Sequence, residues 1–296
     1  MMLLSKDYLK LHFLVVLWGF TAILGLLIEL SFIEVVFYRT LIAAFALGLM
    51  LRFSQISFNL PYQEMLKLLL TGFIIAIHWL LFFGAARYSN ASVSLIGLST
   101  TTFWTSLIEP IVYKRRISLI EIIFGLIVIA GLYIIYIDDF TYGVGLFMSL
   151  GSAMLAAIFS VLNHGFVRRH HPVNITFFEM AGAWLGTIPF LWILRSPETP
   201  LLSIPSLSDL GYLLILALIC TVYANIELTR LLKIFSAYAC NLVINLEPVY
   251  GILLALLFFG QSEKMNTSFY LGAMAIIGAV LLYPWIARKF QRKIRD

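Results

Sequence analysis

The chain has 296 residues, of which 61% are hydrophobic and 12% are charged, with a formal net charge of +5. Soluble domains carry about 25% charged residues, so this composition excludes an ordinary soluble domain. The apolar residues also come in runs of about 20, the length that an α-helix needs to cross a bilayer. We therefore predict an integral membrane protein.

Polar or charged breaks divide the chain into ten apolar segments. These segments are 11–28, 33–51, 66–86, 91–113, 118–137, 143–163, 174–194, 209–230, 237–259 and 268–286. None shows the period-two alternation of a membrane β-strand, so the predicted fold is all-α with ten transmembrane helices. The first segment follows a charged N-terminus and lacks a small-residue cleavage site, which indicates a retained helix rather than a signal peptide.

The distribution of basic residues predicts the orientation. With the N-terminus inside, sixteen of the twenty Lys and Arg residues fall in the inner segments. The positive-inside rule then places both termini in the cytoplasm, and we expect the inner (plasma) membrane as the location. The basic C-terminal tail is typical of a segment that meets anionic lipid head groups, so we expect the bilayer, and no nucleic acid, as its partner.

The two halves of the chain are related by a shift of 147 residues. This shift pairs Gly125 with Gly272, for example. Each half holds five spans, an odd number, so the second half must insert upside down, as in inverted-repeat transporters. The prediction is two inverted-topology five-helix repeats, 1–140 and 141–296.

Span six carries small residues at a spacing of four. They are Gly145, Ser149, Ala153 and Ala157. Small residues at helical spacing let membrane helices approach closely, because hydrocarbon supplies no hydrophobic force between them. Packing within one monomer is the simpler interpretation of this row. A dimer face is the alternative, so a monomer and a homodimer both remain open.

The most prominent candidate for a substrate site is Glu247, near the middle of span nine. Ionisable groups inside a span are costly and tend to face a cavity or a partner. Pro248 follows directly and leaves the carbonyl of Ile244 without its helical donor. Glu247 is therefore a candidate to carry a proton or to bind a cationic group of a substrate. A structural Glu-Pro kink is the alternative.

His78, with Trp79 beside it, lies at the middle of span three, and the 147-residue shift pairs it with Asn225 of span eight. Matching polar positions in two inverted halves predict a shared cavity between them. A packed histidine bonded to a helix carbonyl is the alternative. The remaining candidates for the substrate site are Thr101, Trp18, Asn241 and Asn245. Hydrogen bonds within its own helix are the alternative for the threonine. Hydrogen bonds across helices are the alternative for the two asparagines, and packing or a position at the membrane interface is the alternative for Trp18.

Charged groups nearer the span ends favour structural roles. Arg39 lies about six residues into span two, and we expect it to reach the interface or to pair with Glu34. A functional role for Arg39 is the alternative. Glu227 precedes Arg230 by three residues, which predicts an ion pair at the inner rim.

No catalytic or metal-binding pattern accompanies these residues. The sequence lacks a His-Glu-x-x-His motif and a nucleophile elbow. Cys220 and Cys240 fall inside predicted spans and lack metal-ligand spacing. We therefore expect no enzyme activity, no metal and no cofactor.

Several short motifs of this chain recur in one family of ten-span proteins. They are Trp18-Gly19, Arg39, Glu247-Pro248, Phe259-Gly260-Gln261-Ser262-Glu263, Gly272 and Gly278. With ten spans in two halves, they resemble the drug/metabolite transporter superfamily, specifically its EamA-type members. The sequence departs from that pattern where Thr101 stands in place of a proline and Arg116 in place of an acid. We therefore do not expect equal contributions from the two halves.

The resemblance implies a secondary transporter with a central cavity lined by spans one, three, four, six, eight and nine. It implies alternating access, with small metabolites such as amino acids as the substrates, moved outward. The carboxyl group of Glu247 makes a proton a candidate coupling ion. A channel-like uniporter and a membrane protein without transport activity, such as a receptor or an assembly factor, are the alternatives. Accumulation of a solute against its gradient would distinguish a carrier from a channel.

Overall fold

The computed structural model describes residues 2–54, 56, 60–114, 119–136, 142–194, 200–235, 237–244 and 246–295, and every regular element in them is helical. The helices are α1 (Met2–Leu27), α2 (Phe32–Phe53), α3 (Tyr62–Tyr88), α4 (Ala91–Leu98), α5 (Thr101–Val112), α6 (Leu119–Tyr136), α7 (Gly143–Phe166), α8 (Pro172–Ile193), α9 (Leu207–Leu214), α10 (Ala224–Leu231), α11 (Ala237–Ile244), α12 (Glu247–Phe259) and α13 (Thr267–Arg295). A π-helical stretch, Ile215–Tyr223, joins α9 to α10, and a 3₁₀ turn, Gly260–Glu263, follows α12.

Each predicted apolar segment coincides with one of these helices or with consecutive ones. Six described stretches are long and apolar enough to cross a membrane: Lys6–Leu27, Phe32–Phe53, Tyr62–Tyr88, Ala91–Val112, Gly143–Phe166 and Leu207–Leu231. The prediction of a helical protein with several membrane-spanning segments is therefore confirmed. The inverted relation of the two halves stays a prediction.

Charged side chains mark the face of the bundle at which α1 begins, which we call the terminal face. Here Lys10 lies 3.8 Å from Glu227, and Arg230 also pairs with Glu227, which confirms the predicted ion pair. His170 Nε2 lies 2.8 Å from Glu64 at the start of α3. These contacts bring the starts of α1 and α3 together with the later helices at one face.

At the opposite face, two carboxylates join the first half of the chain to the second. Glu34 of α2 accepts a hydrogen bond from the backbone N–H of Ser203 (2.6 Å), and Tyr38 donates to the Ser203 carbonyl (2.7 Å). In the other direction, Asp209 of α9 accepts from the backbone N–H of Glu29 (2.9 Å). We call the Glu34–Ser203 and Asp209–Glu29 hydrogen bonds the cross-ties. They join α1 and α2 to Ser203 and α9 at the opposite face.

Glycines allow α3 and α8 to cross at backbone contact. A Cβ atom added at Gly72 would lie 2.8 Å from the Ala183 nitrogen, and one at Gly182 would lie 2.8 Å from the Leu69 Cα. Real Cβ atoms do not come this close to backbone, so an ordinary side chain at either position would push the helices apart. This crossing, which we call the glycine crossing, is the small-residue packing that membrane helices use.

The small residues of α7 pack within the same chain. Ser149 Oγ donates to the Ser94 carbonyl of α4 at 2.5 Å. A Cβ added at Gly145 would meet the side chain of Ser89, just after α3. The structure thus gives this row an intramolecular role, which was the simpler of the two interpretations.

Two spans are interrupted at the same register of the two halves. α4 ends at Leu98 and α5 begins at Thr101, whereas α11 ends at Ile244 and α12 begins at Glu247. The 147-residue shift carries 98 to 245 and 101 to 248, so the two interruptions coincide within one residue. Broken helices at membrane depth are tolerated where the irregular backbone is buried in protein or lines a cavity.

Candidate functional site

A cavity of about 90 Å³ lies between the two interrupted spans. Seven of the eight predicted site residues line it: Trp18, His78, Trp79, Thr101, Asn225, Asn241 and Glu247. Asn245 lies outside the described residues. A water molecule requires roughly 10–15 Å³ by this kind of measure, so the cavity has room for several waters or for part of a small solute.

The cavity walls come from spans one, three, four, six, eight and nine, and also from span two. The residue from span two is Arg39, which is 2% exposed and buried inside the bundle. The prediction that Arg39 snorkels or pairs with Glu34 is therefore wrong. The carboxylate of Glu34 is already engaged in its cross-tie at the opposite face.

Arg39 contacts two aromatic rings and a hydroxyl group, and pairs with no carboxylate among the described residues. Its guanidinium carbon lies 4.0 Å from the centre of the Trp79 ring and 5.6 Å from that of Phe83. Its Nε donates to Thr221 Oγ1 at 2.6 Å. A guanidinium over the face of a tryptophan is attracted by the ring quadrupole, more strongly where water is excluded. Arg39 and Trp79 lie at matching depths of consecutive antiparallel spans, which was the sequence signal for this stack.

The π-helical stretch of span eight supplies the hydroxyl that Arg39 uses. Thr221 Oγ1 donates back to the carbonyl of Leu216, five residues earlier, at 2.8 Å, so its lone pairs face Arg39. The Cys220 carbonyl next to it accepts from Trp18 Nε1 at 3.1 Å. π-helical turns occur frequently at functional sites, because they offer backbone and side-chain groups outside the regular α-helical ladder.

Glu247 lies on the first turn of α12 and is 5% exposed. Its carboxyl group has no hydrogen-bond partner within the described part of the chain, and it lines the same cavity as Arg39. The two groups do not approach to the 4.0 Å that defines an ion pair. The cavity therefore holds one basic and one acidic side chain that line the same space without forming an ion pair with each other.

His78 combines a packing role with a place in the cavity wall. Its Nδ1 lies 2.9 Å from the Ser152 carbonyl, and Ser152 Oγ donates to the His78 carbonyl at 3.0 Å. Because a carbonyl oxygen needs a donor, Nδ1 carries the proton of the neutral ring, and Nε2 is left as an acceptor. Phe159 packs edge-on against the same ring, with centroids 5.3 Å apart.

Two other predicted residues use their polar atoms within the bundle. Thr101 Oγ1 donates to the Leu98 carbonyl at 2.7 Å, across the interruption between α4 and α5. Trp18 donates its indole N–H to span eight, as described above. The hydrogen bond of Thr101 agrees with the alternative given for it, a hydrogen bond within its own span, and that of Trp18 ties it to span eight within the bundle.

The two asparagines of the cavity differ in their side-chain hydrogen bonds. Asn241 donates to Thr105 Oγ1 (2.9 Å) and accepts from Ser160 Oγ (3.1 Å), so it links α11 to α5 and α7. The side chain of Asn225 has no hydrogen bond among the described residues. Its amide therefore remains available to a bound solute.

One buried acid was missed by the sequence reasoning. Glu179 of α8 is 2% exposed and does not line the cavity. Its position inside an apolar run of span seven was the signal that would have identified it.

Comparison with known proteins is consistent with this architecture. The family model described as "EamA-like transporter family" matches residues 8–137 and again 143–284. An uncharacterized transporter of Haemophilus influenzae is 22% identical over 270 residues, which span 83% of this chain and 84% of that protein. The pseudopaline exporter CntI of Pseudomonas aeruginosa is 28% identical over 162 residues, which span 54% of this chain and 56% of the exporter.

A solved structure with the description "Crystal structure of protein" shares the fold. Its TM-score to this chain is 0.66 at 16% sequence identity, over 96% of this chain and 99% of that one. At this identity the likeness concerns the fold alone. The two family matches cover most of the sequence, and this chain belongs to the EamA-like transporter family.

Proposed function

We propose that this chain is a secondary transporter that exports small zwitterionic metabolites, such as amino acids, by alternating access. The observation that carries this proposal is the separation of Arg39 and Glu247 across one cavity. Arg39 suits the carboxylate of an amino acid, because a guanidinium offers parallel N–H donors in a fixed fork. Glu247 suits the ammonium group, and the amide of Asn225 offers a further hydrogen bond.

A buried charge without a partner costs several kcal/mol of solvation, roughly, unless a partner arrives with matching geometry. A zwitterion supplies both partners at once. A purely cationic or anionic solute would match one of the two groups and leave the other uncompensated. The Trp79 ring beneath Arg39 supplies apolar contact for the remainder of the solute.

Alternating access is the transport mode that this architecture supports. The interruptions of spans four and nine stand at equivalent positions, as expected if 1–140 and 141–296 are inverted repeats around a central site. The cross-ties join the two halves at the opposite face, so breaking them is one step in opening that face. We place the terminal face in the cytoplasm, because the basic residues concentrate there.

The direction and the coupling ion are parts of the same proposal. A relative of this chain carries the name of an exporter, which supports export. Coupling to protons is proposed because buried carboxyl groups lie in the bundle, with Glu247 as the carboxyl group predicted from the sequence.

The test uses the purified protein in two assays. A thermal-shift panel of amino acids should reveal ligands, because a ligand stabilises the folded state by RT ln(1 + [L]/Kd). The methyl ester and the N-acetyl derivative of the best ligand should both stabilise the protein less than the parent amino acid. If each derivative stabilises as well as the parent, recognition of both charges is excluded.

Transport by proteoliposomes then separates a carrier from a channel. A carrier accelerates uptake of labelled amino acid when unlabelled amino acid is loaded on the other side, because its rate-limiting reorientation then occurs with ligand bound. A channel-like uniporter shows no such acceleration. Absence of both binding and flux would instead favour a protein without transport activity.

A further inference from the structure

Glu179 is a second buried carboxyl group, separate from the cavity. It lies seven residues after Pro172, the first residue of α8, which places it about 10 Å from the terminal face at 1.5 Å per residue. Only 2% of its surface is exposed. The substrate site described above does not use it.

The immediate polar neighbour of Glu179 is an amide. Asn163 of α7 lies within hydrogen-bonding reach of the carboxyl group. Two oxygens in this pair lack a partner in the described part of the chain, namely Glu179 Oε1 and Asn163 Oδ1. Both atoms are buried, and a buried polar atom without a partner costs about 1–3 kcal/mol.

One proton would satisfy both oxygens. An ionised carboxylate accepts hydrogen bonds only, and so does an amide oxygen. A proton on the carboxyl group makes it a donor, and a half-turn of the Asn163 amide then presents Oδ1 as its acceptor. The arrangement of these two oxygens therefore favours a protonated carboxyl group over an ionised one.

The helices around the pair carry other ionisable side chains, namely Arg39 on α2, His78 on α3, His164 on α7, and Glu227 and Arg230 on α10. Arg39 and His78 belong to the cavity, and Glu227 pairs with Arg230. His164 Nε2 lies 3.2 Å from Arg168, whereas the buried His164 Nδ1 lacks a hydrogen-bond partner in the described part of the chain. None of them forms a hydrogen bond or an ion pair with Glu179.

We infer that Glu179 and Asn163 form a proton-binding site that couples proton movement to transport. This inference rests on the proposed transport function. The reaction is a proton transfer between water and the carboxyl oxygen, with no other bond made or broken. The ionised carboxylate needs a donor such as water, whereas the protonated carboxyl group can itself donate to Asn163.

The position of Asn163 connects this site to the cavity. Asn163 follows Ser160, a cavity residue, by three positions, and residues three apart are neighbours on one face of a helix. α7 ends at Phe166, three residues after Asn163. The proton site therefore lies between the cavity and the terminal face.

The first experiment uses the proton as its own probe. Infrared difference spectra of the purified protein, recorded during a pH titration, should show a carbonyl band of a protonated carboxyl group that disappears as pH rises. The band should be absent in Glu179→Gln, shifted in Asn163→Ala because its hydrogen bond changes, and retained in Glu247→Gln. This result does not depend on any substrate, so it stands or fails separately from the proposed function.

The second experiment tests coupling in proteoliposomes with an amino acid found in the thermal-shift panel. Glu179→Gln should retain exchange of labelled for unlabelled amino acid, but its accumulation under a pH gradient should fall to the level of empty liposomes. An unchanged infrared band in Glu179→Gln would overturn the proton site. Loss of the infrared band with unchanged accumulation of amino acid would overturn the coupling. If sodium alone stabilises the wild type and does not stabilise Glu179→Gln, the site binds a metal cation instead of a proton.

Discussion

Replacing Arg39 by glutamine removes the group that we assign to the substrate carboxylate. Arg39 is 2% exposed, stacks on Trp79 and is anchored to Thr221, so its guanidinium is held in place before a ligand arrives. Removing one partner of a buried charge pair costs about 2–5 kcal/mol. At about 1.4 kcal/mol for each factor of ten, Arg39→Gln should weaken amino-acid binding roughly 30-fold to several thousand-fold.

Isothermal titration calorimetry with an amino acid and with its decarboxylated amine provides the assay. Arg39→Gln should strongly weaken binding of the amino acid. The amine lacks the carboxylate and should bind with its wild-type affinity. Arg39→Lys is the matched control, since it keeps the charge without the fork and should give an intermediate loss. Equal weakening of both ligands, together with a lower unfolding temperature without ligand, would show that Arg39 is structural and refute the assignment.

Three further predictions concern the other polar groups and the topology. Glu247→Gln should weaken binding of an amino acid far more than of its N-acetyl derivative in the same titration; equal effects would leave the residue as a kink element. Asp209→Ala removes one cross-tie, a charge-assisted hydrogen bond worth about 1.5–3 kcal/mol, and should let the opposite face open more often. A cysteine at Leu98, a residue of the cavity wall, should then react faster with an impermeant thiol reagent added from outside. Unchanged labelling would mean that this cross-tie does not hold the face closed. In intact cells, cysteine at Ile204 (94% exposed) should be labelled from outside and cysteine at Tyr62 (71% exposed) only after permeabilisation; the reverse pattern would invert the topology.

The helical fold was predictable because each span carries its own apolar run, independent of distant residues. The cavity residues Glu247 and His78 were also predictable, since polar groups at mid-span are costly unless they face a cavity. The hydrogen bond of Arg39 was not predictable, because its partner Thr221 lies 182 residues away and belongs to a π-helical turn that no local sequence pattern indicates. Glu179 was overlooked among apolar neighbours, although the same argument about cost applies to it.

The glycine crossing has a mechanical consequence for the whole bundle. At Gly72 the nearest backbone atom of α8 is the carbonyl oxygen of Glu179, with no side chain between the two helices to absorb a displacement. His78 follows Gly72 by six residues, about 9 Å along the same helix. A shift of α8 at Glu179 is therefore transmitted directly to α3 and to the cavity wall. A Cβ atom at this contact would push the two backbones apart, so Gly72→Ala is expected to weaken the transmission between α8 and α3 even where binding at each site survives.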